Sequence, residues 1–109
     1  MKTKGRACIA LYKDAQCREE FNISNNGYTI DVADYDSLGG GATPIDIYAK
    51  NIGTHSAYDV VIGEPVNKSF NVIAPNEIKQ CSFTLYLSTL DRSTTALEVY
   101  LSYDSIKHS

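Results

Sequence analysis

The sequence predicts an all-β domain, a sandwich or barrel of seven to eight short antiparallel strands, and three observations carry that expectation. In the strongest segments apolar residues alternate with polar ones at period two, and helical spacing is hard to find. Apolar runs of strand length follow one another at roughly 8–12-residue intervals, as they do in two-layer β folds. Gly, Asn, Asp and Pro residues punctuate the intervals with turn chemistry.

Taken in order, residues 7–12 and 16–23 are read as two short strands, and Lys13-Asp14 between them can reverse the chain. Asn25-Asn26-Gly27 can supply the positive φ of a tight turn into residues 28–34. A flexible Gly39-Gly40-Gly41 loop follows. In "TPIDIYAKN", Ile45, Ile47 and Ala49 share one face and Asp46, Tyr48 and Lys50 the other, which is the pattern of a half-buried strand. Asn51 and Gly53 both tolerate the left-handed backbone region, so they are expected to turn or bulge the chain before the run at 57–62, where small Ala57 fits beneath a sheet edge. Pro75-Asn76 suits the centre of a type I or type II turn after residues 69–73.

In "CSFTLYL", Cys81, Phe83, Leu85 and Leu87 oppose Ser82, Thr84 and Tyr86. In "LEVYLSY", Leu97, Val99, Leu101 and Tyr103 oppose Glu98, Tyr100 and Ser102. Only "DRSTT" at 91–95 offers a helical turn. The expected core is Ile30, Val32, Ile45, Ile47, Val60, Phe83, Leu85, Val99 and Leu101.

A chain of 109 residues with 43% apolar and 21% charged residues supports one core that folds without metals or staples. The expected organisation is a basic N-terminal arm at 1–6 carrying Lys2, Lys4 and Arg6, one domain at 7–104, and a tail at 105–109. A net charge of −3 argues against nucleic acid as a partner, because phosphate-backbone binders carry a basic excess. The apolar run at 7–12 is too short for the core of a secretory signal, and no stretch nears the roughly 20 apolar residues of a membrane span. The expectation is a soluble product with no leader and no membrane partner. Cys8, Cys17 and Cys81 form no Cys-x-x-Cys pair, so free thiols in strands are expected, with a Cys8–Cys17 bridge across a hairpin and an intermolecular bond as the alternatives.

The stretch "IDIYAKNIGTHSAYDVVI", a strand ending in Asn-x-Gly followed by Ala-x-x-Val, resembles the strand corner of bacterial and phage immunoglobulin-like modules, including adhesion-related repeat families. The upstream "IDVADYDSLGGGATPIDIY" and the downstream "FNVIAPNEIKQCSFTLYL" are similar to the segments that flank that corner, so the resemblance spans about residues 28–87. It implies an immunoglobulin-like antiparallel β-sandwich with a non-enzymatic role. With no signal, tandem copy or anchor in the sequence, it implies a phage virion protein that decorates or stabilises a capsid or tail and is assembled in the host cytoplasm. The alternative is a cell-surface adhesion or carbohydrate-binding module.

Chemistry is sparse. His55, Ser56 and Asp59 supply the residue types of a nucleophile relay, which makes a small hydrolase built around His55 the third reading, but sequence neighbours do not by themselves make a relay. Asp31, Asp34 and Asp36 precede the three glycines, yet their spacing does not match a helix-loop-helix calcium loop and no glutamate closes it. No cofactor is expected. Tyr supplies 8 aromatic residues against 3 Phe and no Trp, and Tyr48, Tyr86 and Tyr100 fall on the polar sides of the three clearest strands. Tyrosine is enriched at interfaces, so one sheet face carrying these three is the expected contact surface for other protein subunits or a second copy, with Lys2, Lys4 and Arg6 the next candidate.

Overall fold

The computed structural model describes residues 5–25, 27–32, 42–64, 66–86 and 96–106, and every regular element among them is a strand. The strands are β1 (Ile9–Tyr12), β2 (Asn22–Ser24), β3 (Gly27–Asp31), β4 (Ala42–Asn51), β5 (Ala57–Ile62), β6 (Lys68–Ile73), β7 (Ile78–Tyr86) and β8 (Ala96–Asp104). They form two antiparallel sheets, ordered β1-β4-β7 and β2-β3-β8-β5-β6.

β4 shows why these residues make these layers. Thr43, Ile45, Ile47, Ala49 and Asn51 are buried, while Ala42, Pro44 and Asp46 between them are exposed. One face of the strand must therefore be covered, and the second sheet covers it: Ile45 and Ile47 share a single apolar cluster with Ile30, Val60, Ile62 and Val99. Each fully buried Leu, Ile or Val in that cluster contributes about 1.5–3 kcal/mol over its exposed state. Of the expected core, Phe83 and Leu101 pack against the cluster only partly buried, and Val32 is half-buried outside it. Leu11, Phe21 and Ile73 belong to the cluster without having been expected there.

The run at 16–23 is mostly a loop. The Asp14 carboxylate accepts the backbone N–H groups of Arg18 and Glu19, both at 2.9 Å, and Cys17 takes a positive φ of 56°. The chain then returns along β1, with Lys13 N–H donating to Glu19 O at 2.7 Å and Phe21 N–H to Leu11 O at 3.1 Å. A hydrogen bond from the Tyr28 hydroxyl to Glu20 ties the loop to the second sheet, and burial raises the Tyr28 phenol well above its ordinary range. The reversal predicted at Lys13-Asp14 exists, yet all three cysteines are free thiols. Cys81 is the buried one, and burial pushes its thiol up to about 11.

The Pro75-Asn76 turn is of type II: Glu77 N–H donates to Ala74 O at 2.9 Å and Asn76 has φ 66°. Ala7 N–H donates to Ser105 Oγ at 3.1 Å, so residues far apart in sequence meet beside the domain's last strand.

Candidate functional site

Two regions stand out, and the first is the corner between β4 and β5. Asn51 is fully buried and closes β4 opposite Ile9. Its Oδ1 accepts the N–H of Gly53 at 2.9 Å and of Cys8 at 3.2 Å, and its Nδ2 donates to His55 O at 2.7 Å and Ile73 O at 2.9 Å. Its backbone N–H donates to Glu77 O and its carbonyl accepts from Asn76 N–H. One side chain thus joins the start of the chain, the corner and the end of β6, with its amide valences satisfied as a buried amide requires.

The left-handed conformation expected at this corner is not there. Neither Asn51 nor Gly53 has positive φ; among the described residues the non-glycine ones that do are Cys17, Asp59, Asn67 and Asn76. Gly53 is needed for space, because a Cβ there would run into the Arg6 carbonyl and come within 2.6 Å of Cys8 N. Residues 6–8 lie directly against the corner, with Ile52 N–H donating to Cys8 O at 2.8 Å and Thr54 N–H to Arg6 O at 3.0 Å. The backbone of Arg6 is consequently part of the domain rather than of a separate arm. Lys2 and Lys4 lie outside the described residues. The His55 ring engages the neighbouring Thr54 hydroxyl at 3.0 Å, and Asp59 sits at an irregular point of β5.

The second region is the outer face of the five-stranded sheet. The β5–β8 ladder shifts register between Tyr58 and Val61, where Asp59 takes a φ of 52°. This bulge keeps Val60 and Ile62 in the core while presenting Val61 outward. Tyr58 lies opposite Val72 on β6, and Val61 lies opposite Ser69 on β6 and Ser102 on β8. Next along the sheet comes Tyr100, whose backbone O accepts Gly63 N–H at 2.7 Å. A Cβ on Gly63 would come within 2.9 Å of Tyr100 Cβ, so the glycine leaves room for the tyrosine. Val61, Val72 and Tyr100 are 40%, 42% and 51% exposed. Val61 and Tyr100 are near neighbours across β5 and β8, whereas Val72, beside Tyr58, lies roughly 16 Å further along the same face. Beside them the β5–β6 hairpin holds a solvent-open depression of about 270 Å³ lined by Val61, Ile62, Gly63, Asn67, Lys68 and Ser69.

The three expected tyrosines do not share a face. Tyr48 and Tyr86 belong to the three-stranded sheet, whereas Tyr100 is on the other sheet. Along β4, Tyr48 is opposite Gln80 and Tyr86 is opposite Ala42, roughly 20 Å apart at the rise of a strand. Tyr100 alone of the three lies on this face, and Val61 beside it, with Tyr58 and Val72 further along, were not anticipated. The run "YDVVI" carried no signal for them, because a continuous apolar stretch does not say which of its members face out.

Asp34 and Asp36 lie outside the described residues. Among the described residues no group of three or more metal-ligating side chains occurs, and no helix is long and apolar enough to cross a membrane. No protein-family model, curated protein or solved structure matches the chain.

Proposed function

We propose that this chain is a non-enzymatic binding domain of immunoglobulin-like type that docks onto other protein subunits through the outer face of its five-stranded sheet. The observation that carries this reading is exposed Val61 beside Tyr100, the valine presented outward past the bulge at Asp59, with Tyr58 and Val72 paired further along the same face. Contact energy in interfaces concentrates in a few such residues, tyrosine prominent among them. Strand order supports the immunoglobulin-like part. The β1-β4-β7 sheet parallels strands A-B-E, and β8-β5-β6 parallels F-C-C′. The place of the last strand G beside F is taken by β3, which comes early in the chain.

The assembly part of the reading rests on the sequence resemblance and is a capsid or tail decoration role in a phage virion. A single small patch binds weakly, and a shell that engages many copies together gains roughly 10²–10⁴ in effective affinity. One observation favours the alternative of a carbohydrate-binding module: the open depression is bordered by Asn67, Lys68 and Ser69 and adjoins Tyr100 through Gly63. A sugar could stack on the ring and hydrogen-bond to those groups.

Tyr100→Ser/Val61→Ser separates the two. For the docking reading, the variant keeps the parent's melting temperature and is lost from the particle or complex with which the parent co-sediments. If instead the parent binds immobilised glycans and the variant does not, the module is a sugar binder. A variant that stays on the particle as tightly as the parent removes this face from the contact.

A further inference from the structure

Among the described residues, the four strands at the sheet edges are not alike. β1 has its far side occupied by the returning chain, through Phe21 N–H to Leu11 O and the Tyr12–Glu20 bridge. β2 is only three residues long. β6 begins at Lys68 beside a positive-φ residue and pairs with the bulged β5. Short, covered, charged or bulged edges are the usual means of preventing strands of different molecules from joining. β7 has none of these over most of its length: nine residues, no proline, and an unbroken register with β4 from Ile78 to Tyr86. Its one charged residue, Lys79, is engaged near the strand's start by Glu77 at 3.2 Å.

The direction of the β7 backbone groups follows from the ladder. Asn51 donates its N–H to Glu77 O at the foot of the β4–β7 pair, and hydrogen-bonded pairs alternate with non-bonded ones from there. Lys79, Cys81, Phe83 and Leu85 thus turn their N–H and C=O groups toward β4. Gln80, Ser82 and Thr84 turn theirs to the sheet edge, where no other strand lies among the described residues. Pro44 fits the same phase, since its missing N–H falls where β4 makes no bond to β7.

We propose that β7 pairs antiparallel with β7 of a second copy about a twofold axis at Ser82, joining two three-stranded sheets into one of six strands. The pattern of the strand is self-complementary about that residue. Ser82 meets Ser82, Gln80 of each copy meets Thr84 of the other, and at both ends Ile78 meets Tyr86. Those two apolar side chains are 41% and 53% exposed in the single chain, so the pairing covers surface that is otherwise in water. Pairing by Gln80, Ser82 and Thr84 gives about six hydrogen bonds between the copies. A shift to the neighbouring registers, in which Gln80 faces Ser82 or Tyr86, leaves Tyr86 or Ile78 overhanging. Association uses the sheet opposite the Tyr100 face and is independent of it.

Sedimentation velocity on the full chain tests this with two charge variants. Gln80→Lys/Thr84→Lys places like charges opposite each other twice across the axis, and Gln80→Glu/Thr84→Glu does the same with the opposite sign. The parent forms a dimer that dissociates on dilution, and each variant alone weakens it roughly tenfold or more. An equimolar mixture of the two regains the dimer, because each introduced ammonium then faces an introduced carboxylate across the axis. Tyr100→Ser leaves dimerisation unchanged. A parent that stays monomeric to about 1 mM overturns the proposal, as does a dimer in either variant alone as strong as the parent's. Should both variants fold and the mixture stay monomeric while the parent dimerises, the Ser82 axis is wrong.

Discussion

The corner at Asn51 and the outer face around Tyr100 are opposites in how they use their residues. At the corner a polar side chain is fully buried and its four hydrogen-bonding positions are spent inside the domain. On the face, Val61, Val72 and Tyr100 are apolar and stand in water. A buried amide is an informative exception, and an exposed apolar side chain becomes one only where several share a face. The first is accounted for completely by contacts within the chain, so it is architecture. The second has no such account, which is why the functional reading attaches to it.

The sharpest way to break this contrast is to remove the amide. Asn51→Leu leaves the N–H groups of Cys8 and Gly53 and the carbonyls of His55 and Ile73 without their partner, and a loss of about 3–5 kcal/mol is expected in chemical denaturation. A loss below about 1 kcal/mol would mean that water replaces the side chain and the corner is not a keystone. Gly53→Val comes next, at about 1–3 kcal/mol, because the Arg6–Cys8 backbone must move to admit a side chain. On the face, Tyr100→Ser should shift stability by no more than about 0.5 kcal/mol, as expected of an exposed substitution with no structural duty. A larger drop would make that tyrosine part of the architecture too.

Acid gives the smallest effect and sharpens the comparison further. The backbone N–H of Glu19 chiefly, with that of Arg18, holds the Asp14 carboxyl below its ordinary range, and the N–H of Ala74, with Lys79 beside it, does so for Glu77. A carboxylate lowered by folding adds stability that is complete above its unfolded value of about 4 and disappears as pH falls through the folded value. Both groups are exposed, so the contribution is small and screened by salt. Protection against hydrogen exchange, measured relative to the free-peptide rate at each pH, should therefore fall at Arg18, Glu19 and Ala74 below about pH 4 while it holds at Cys8 and Gly53, since the amide of Asn51 does not titrate. An equal loss of protection at all five would show that the corner opens together with the two turns.

How far the sequence was legible follows the same division. Period two placed β4, β7 and β8 well, because a strand with one buried face writes its orientation into every second residue. The run at 16–23 misled because a single carboxylate, Asp14, captures the chain into a loop by local hydrogen bonds that apolar patterning does not register. Asn51 was singled out for the right position and the wrong reason: backbone permissiveness is a property of residue type, whereas its four partners come from segments up to 43 residues away. The tyrosine surface failed similarly. Alternation tells which side of its own strand a residue occupies, and it does not tell which sheet the strand joins, so Tyr48 and Tyr86 were grouped with Tyr100 across two layers. The bulge at Asp59 depends on a positive φ at a non-glycine residue, for which no local pattern exists.

The bond from Ala7 N–H to the Ser105 hydroxyl, across 98 residues of sequence, has a consequence for how the molecule can be cut and rejoined. Two positions so close in space can be bridged by a short linker, and new ends can be opened in the β5–β6 hairpin, where Gly63 O accepts the N–H groups of both Val66 and Asn67. Such a circularly permuted chain retains every strand pairing in both sheets. The strand pairings do not depend on where the chain is opened, provided the opening falls in a turn.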